Sequence, residues 1–203
     1  ALRDGRSAYT QALGLPALRE AVAGHYADRF GRHVDPERIA ITAGASGGLL
    51  LALGLYLDPG DELLVPDPGY PAYRHMTAAF DADARPLRTT ARSAFQPTLE
   101  MVRAAWGRRT RGVLLGSPAN PTGTVIPQAE LARIAGFVAE RGGVLIVDEI
   151  YQGLTYGQAP ATALGLPGEV AVVNSFSKYF CMTGWRDRKS TRLNSSHGYI
   201  SYA

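Results

Sequence analysis

Four short apolar runs restrict this chain more than any other feature. They are Glu62-Leu-Leu-Val-Pro66, Gly112-Val-Leu-Leu-Gly116, Gly143-Val-Leu-Ile-Val147 and Glu169-Val-Ala-Val-Val173. Each is short for a helix and lacks polar alternation, so as a strand it must be covered on both faces. Helix-length segments separate them, the order that builds parallel sheets. The expected fold is α/β in three layers, a mainly parallel sheet with helices on both faces.

The other segments fit that plan. Residues 15–30 read as a helix, with Pro16 in the first turn and Leu18, Val22 and Tyr26 at i+4 spacing. Arg38-Ile-Ala-Ile-Thr42 reads as a short buried strand, and Ala43-Gly-Ala-Ser-Gly-Gly48 opens an apolar helix to about Leu57. Asp58-Pro-Gly-Asp61 is a turn by composition. Further helices are expected over Ala72 to Phe80, Thr98 to Trp106 and Pro127 to about Arg141, with a strand over Ala84 to Thr89. Leu99, Val102 and Trp106 share one helical face, and there is no internal repeat.

A net charge of +3 raises a nucleic-acid role, which does not survive inspection. Residues 188–203 hold Arg188, Lys189 and Arg192 and no carboxylate, so removing them turns 21 basic and 18 acidic residues into 18 and 18. No basic patch is left to argue from. The segment from Asp187 onward is aperiodic and rich in Ser, and it resembles translated read-through of a sequencing adapter. It is therefore set aside from fold reasoning as foreign. The longest apolar run, Leu49 to Leu57, is far too short to span a bilayer. With no visible signal peptide and a single cysteine, Cys181, the expected location is cytoplasmic.

Chemistry gathers in the loops after the strands, which in an open parallel sheet form the ligand crevice. Of the 21 basic side chains only two are lysines, Lys178 and, in the tail, Lys189. Arginine stays protonated, whereas a partly desolvated lysine amine can lose its proton and attack a carbonyl. On residue type alone a surface lysine is the commoner case. The setting of Lys178 between a strand and Thr183-Gly-Trp-Arg186 favours a Schiff-base lysine.

Its neighbours in the other loops are each open to two readings. Gly44, Ala45 and Ser46 open a helix, where free N–H groups and a hydroxyl suit a phosphate or serve as plain capping. Tyr70, in Pro68-Gly-Tyr-Pro71, could lay its ring against a flat ligand or simply pack. Asn120, in Asn120-Pro-Thr-Gly123, offers an amide donor or shapes a turn. Asp148 follows four apolar residues, so it is expected to be partly buried and to need a cationic or donor partner; capping is the alternative. Tyr151 lies three residues on, and Arg186, eight residues beyond Lys178, could grip a phosphate bidentately. No metal site is expected.

Taken together, these motifs resemble those of a known family. Tyr9-Thr-Gln-Ala-Leu-Gly-Leu-Pro-Ala-Leu-Arg19, Thr42-Ala-Gly-Ala-Ser46, Asp58-Pro-Gly-Asp61, Pro68-Gly-Tyr-Pro71, Asn120-Pro-Thr-Gly123, Asp148-Glu-Ile-Tyr151, Ser175-Phe-Ser-Lys178 and Gly184-Trp-Arg186 stand in its order and spacing. The chain resembles the fold-type I pyridoxal-phosphate enzymes of the class I/II aminotransferase family from about Tyr9 to Arg186. The resemblance implies an enzyme moving an amino group from an amino acid to a 2-oxo acid. It implies that Lys178 holds pyridoxal 5'-phosphate as a Schiff base and then moves the substrate's α-proton. Asp148 would pair with the pyridinium nitrogen, Tyr151 and Asn120 with the phenolic oxygen, and Tyr70 with the ring face. Gly44, Ala45, Ser46, Ser175 and Arg186 would bind the phosphate, and Tyr9 would reach that of the neighbouring subunit in a homodimer.

The same resemblance makes residues 1–187 a partial cofactor-binding large domain. It implies a segment before Tyr9, and beyond Arg186 a further strand and a small domain whose arginine clamps the substrate carboxylate. This polypeptide as it stands is then expected to be inactive and poorly soluble. Cys181 stands where a small glycine is common. Two other readings share the visible motifs: a C–S lyase or synthase of the same fold, and an aminotransferase-like sensor domain of a transcription regulator. A plain nucleotide-binding protein lacks support, since no G-x-G-x-x-G or G-x-x-x-x-G-K-[ST] pattern occurs.

Overall fold

The computed structural model describes residues 9–157 and 161–183, together with the backbone of Ser201 and Tyr202. Helix α1 spans Pro16–Phe30; Pro16 presets the first turn, and Gly31, at φ 61°, ends the helix by donating its N–H to Ala27 O at 3.0 Å. Next come β1 (Ile41–Thr42), α2 (Ala45–Tyr56), β2 (Glu62–Asp67), α3 (Ala72–Ala78) and β3 (Asp83–Arg88). They are followed by α4 (Leu99–Ala105), β4 (Thr110–Gly116), α5 (Gln128–Glu140), β5 (Val144–Asp148) and β6 (Glu169–Val173).

Five strands form one sheet in the order β3-β2-β4-β5-β6, parallel throughout. The apolar runs explain why. Successive strand residues point to opposite faces. Leu63, Val65, Leu114, Val144 and Ile146 pack under α2 and α3, whereas Leu64, Val113, Leu115, Leu145 and Val147 pack under α4 and α5. β3 reads differently, with Arg85, Pro86 and Arg88, and it sits at the edge, where a missing N–H and charged side chains are tolerated. Helix α1 forms a third cluster through Val22 and Tyr26 with Ile39, against which Leu18, Leu164 and Phe176 pack.

The expected elements appear within a residue or two, with one exception. The strand expected over 38–42 shrinks to Ile41–Thr42, because Asp35 caps a 3-10 turn at Pro36–Arg38 by accepting from Glu37 N at 2.9 Å. Among the described residues β1 pairs only with Ser201–Tyr202 (β7), antiparallel, and lies outside the main sheet. That pair belongs to the segment set aside as foreign. Among the described residues no helix is long and apolar enough to cross a membrane.

Leu114 is fully buried and Leu51, on α2, is 54% exposed. In urea denaturation, Leu114→Ala is expected to lower stability by about 3 kcal/mol, and Leu51→Ala by less than about 0.5 kcal/mol.

Candidate active site

Parallel pairing brings the chemistry-bearing loops to one end of the sheet. Gly116, Asp148 and Val173 stand abreast on β4, β5 and β6. The ladder continues one step further, with Ser117 N on Asp148 O at 3.1 Å and Glu149 N on Val173 O at 2.7 Å. Beyond this row lies a cleft of about 520 Å³. Gly44, Ala45, Ser46, Tyr70, Asn120, Asp148, Tyr151 and Lys178 all line it, so eight of the eleven expected residues meet. A second hollow, about 540 Å³ between α1, α2 and β6, is lined by none of them.

Each wall has a local cause. Gly44, at φ 85°, turns the chain into α2, where Gly47 N and Gly48 N bond Gly44 O and the Ala45 and Ser46 N–H groups before them stand at the positive end of the helix dipole. The loop after β4 holds Asn120 between cis Ser117–Pro118 and cis Asn120–Pro121. Gln96 pins this loop by donating to Gly116 O at 3.3 Å and Thr124 O at 2.7 Å.

Asp148 is 5% exposed and accepts from Tyr73 Oη at 2.8 Å and Ile150 N at 3.1 Å. Among the described residues it forms no salt bridge. Burial pushes its carboxyl above the ordinary range, and the two donors only partly oppose this. Burial and the Asp148 charge push the Tyr73 hydroxyl up as well, so Tyr73 remains a neutral donor. The Tyr73 ring meets that of Tyr70 edge-on at 5.5 Å, so one residue touches both the carboxylate and the aromatic wall. A Cβ at Gly116 would come within 3.1 Å of Tyr73 Oη, so the strand end leaves room for this hydroxyl.

Lys178 is half-buried, with Nζ 5.7 Å from the centre of the Tyr151 ring. Its loop is fastened on two sides. Ser177 N and Ser177 Oγ both bond Ser175 Oγ, at 3.0 and 2.8 Å, and Thr183 Oγ1 donates to Ser177 O. Toward α1, Arg29 donates to Tyr179 Oη at 2.7 Å and lies over its ring. Gly153 allows this packing, since a Cβ there would meet Tyr179 Cδ2 at 2.6 Å. Cys181, in the place where a glycine is common, adopts φ 55°, a conformation that glycine enters without strain.

Of the other three expected residues, two described ones stand outside the cleft lining. Ser175 is buried and turned into its own loop, Tyr9 is fully exposed, and Arg186 lies outside the described residues. Tyr73 is one residue that the sequence did not single out. Its signal was its place one helical turn after Tyr70, on the same side. Glu149 was missed too; it is 1% exposed and accepts from Ala163 N at 2.6 Å, Gln152 Nε2 at 2.6 Å and Thr162 Oγ1 at 3.0 Å. Burial pushes its carboxyl up to about 8 against these donors.

Comparison with known proteins matches this geometry to a family. The profile described as aminotransferase class I and II matches residues 1–186. A valine–pyruvate aminotransferase of Mycobacterium tuberculosis is 45% identical over 188 residues, covering 92% of this chain and 48% of that protein. The crystal structure of an aminotransferase from Mycobacterium tuberculosis superposes with a TM-score of 0.87 at 41% identity, covering all of this chain and 49% of the other. Aspartate aminotransferase from Thermus thermophilus with maleate gives a TM-score of 0.88 at 32% identity, again covering the whole chain and 50% of the other. The chain thus spans about half the length of the relatives it matches.

Because burial raises the Asp148 pKa above its ordinary 3.8, the folded chain holds this proton more tightly than the unfolded one. Its contribution therefore favours folding below that value and is lost as pH rises through the folded pKa. Asp148→Asn is expected to raise the unfolding midpoint of the ligand-free protein at neutral pH and to reduce the decline with pH. Tyr73→Phe, which strips a donor from the buried carboxylate, is expected to lower stability by about 1–3 kcal/mol at neutral pH. Thermal unfolding across a pH series reads both; a destabilised Asp148→Asn protein at neutral pH would count against this account.

Proposed function

The chain belongs to aminotransferase class I and II, and on that premise we propose that its protein is a pyridoxal-phosphate-dependent transaminase acting on an amino acid and a 2-oxo acid. One observation carries the reading. Asp148 is a buried carboxylate without a cationic partner among the described residues, and it shares a cleft with Lys178. A protonated ring nitrogen is the partner such a carboxylate lacks.

The remaining groups fit the same cofactor. Gly44, Ala45 and Ser46 would hold its phosphate at the start of α2, with Arg186 and Ser175 assisting. Tyr70 would cover the ring face, while Asn120 and Tyr151 would donate to the phenolic oxygen. Lys178 would hold the cofactor through Nζ. When bound, pyridoxal phosphate supplies an electron sink that makes an amino acid's α-proton removable. Lys178, once released from the cofactor, would accept that proton at Nζ and return it to another atom. Asp148, kept from water, would hold the ring nitrogen's proton in place throughout, and Tyr73 would hold Asp148.

Tyr9 would serve the phosphate site of a second copy, in a homodimer. Residues 1–187 would be part of a larger cofactor-binding domain, with 188–203 foreign to it, in a cytoplasmic enzyme. The names of the relatives, all aminotransferases, support transfer over elimination.

The test uses the full-length protein loaded with pyridoxal phosphate and given valine and pyruvate, after the relative's name. Expected are a bound visible absorbance band that vanishes in Lys178→Ala, formation of alanine, and a fall in kcat of about a thousandfold or more in that variant. A band that persists in Lys178→Ala would refute the assignment, and ammonia released in place of alanine would shift it to a lyase.

A further inference from the structure

The two consecutive acidic residues at the end of β5 face opposite layers. Asp148 looks toward α3 through Tyr73, while Glu149 is enclosed by Gln152, Thr162 and Ala163 on the other side. Glu149 touches no part of the cleft, and the proposed chemistry leaves it without a task.

From Glu149 a chain of buried polar groups runs to the lysine loop. Gln152 Nε2 donates to Glu149 Oε2 at 2.6 Å and to Ala161 O at 2.8 Å. Gln152 Oε1 accepts from Asn174 Nδ2 at 2.9 Å, and that Nδ2 also bonds Tyr26 Oη at 3.0 Å. Asn174 Oδ1 accepts from Ser175 N at 2.8 Å. Glu149, Gln152, Asn174 and Ser175 are each no more than 6% exposed, so water does not substitute for a lost partner.

The direction of this chain is set where Gln152 meets two acceptors, Glu149 Oε2 and Ala161 O, and where Asn174 meets the Ser175 N–H. Ionised, Glu149 only accepts, as Ala161 O does, so the two require the NH₂ of Gln152 on their side and leave Gln152 Oε1 for Asn174. Asn174 must then present its NH₂ to Gln152 and its oxygen to Ser175 N. Reversing either amide sets donor against donor or oxygen against oxygen along the chain.

We propose that Glu149, acting through Gln152 and Asn174, is a positioning residue of the lysine loop, its ionised carboxylate setting, together with Ala161 O, the direction of a buried hydrogen-bond chain that ends on Ser175 N. Lys178 follows three residues later in the same loop. The proposal rests on the transaminase reading for its consequence, which is that Glu149 governs how well the loop grips pyridoxal phosphate. Glu149 is not a catalytic residue here, since it touches neither cofactor nor substrate.

Glu149→Gln keeps the volume but places an NH₂ against Gln152 Nε2 or against Ala163 N, whichever way it faces. The double variant Glu149→Gln with Gln152→Glu keeps an acceptor opposite Asn174 and a donor opposite residue 152, while Ala161 O and the Thr162 hydroxyl each lose a partner. Two measurements on the full-length protein, made at a pH of about 9 so that Glu149 is ionised, separate polarity from packing. The first is amide hydrogen exchange at Ser175 in the cofactor-free protein, relative to Ile146 in the core. The second is the dissociation constant for pyridoxal phosphate. Glu149→Gln is expected to speed Ser175 exchange and to weaken cofactor binding, each by about tenfold, and the double variant to recover most of both.

Values within about twofold of the parent in Glu149→Gln would overturn the proposal, as would a double variant no better than the single one. If Glu149→Gln yields no folded protein, the double variant decides alone: regained folding and binding support the proposal, and failure to regain them overturns it. Should the parent protein not bind pyridoxal phosphate, the transaminase reading falls. Ser175 exchange still tests the chain of bonds.

Discussion

In-register parallel pairing of β4, β5 and β6 is the constraint on which the rest of the site depends. Because Gly116, Asp148 and Val173 stand abreast, three loops leave the sheet at one level and face the same space. Dense burial holds that level: Leu114 and Ile146 on one face and Leu115 and Val147 on the other are essentially inaccessible to water. A strand packed on both sides cannot slip by one residue without exchanging its two faces. The position of a reactive side chain in the cleft is thus set by apolar residues several positions before it.

Placing Asp148 and Glu149 side by side at the end of a buried strand is unfavourable, since desolvation and the charge of Asp148 both push Glu149 up. Alternation along the strand separates them. Asp148 continues the parity of Val144 and Ile146 and opens toward α2 and α3, while Glu149 continues that of Leu145 and Val147. Each then meets a different set of donors, the first sparse and the second complete. An under-supplied carboxylate suits a group that must pair with a ligand cation. A fully supplied one suits a framework role.

The sheet and its loops were legible because apolar runs and turn residues are local signals. Residues in four of the strand-end loops met in one cleft, along with the glycine turn that opens α2. The rest was set by partners distant in the chain. Tyr73 and Asp148 are 75 positions apart, and Asn174 and Tyr26 are 148 apart; no spacing rule announces either bond. Arg19 is a similar case. It lies in the helix expected to bury Leu18, Val22 and Tyr26, yet it is 2% exposed and held by Glu37, Pro36 O and Gln11. The strand expected over 38–42 shortened because a capped turn claimed its first residue, a competition between local hydrogen bonds that hydrophobicity does not register.

The half-buried seat of Lys178 beside Tyr151 has a consequence for selectivity against the protein's own surface. From Ala1 to Arg188 it is the sole side-chain amine, every other long basic residue being arginine. Aldehydes condense readily with amines but not with guanidinium groups, which keep their protons. A carbonyl reagent approaching this part of the chain therefore meets no decoy lysine on the way to the cleft. Imine formation with a side chain is in this stretch confined to one position, so selectivity there comes from composition as well as from shape.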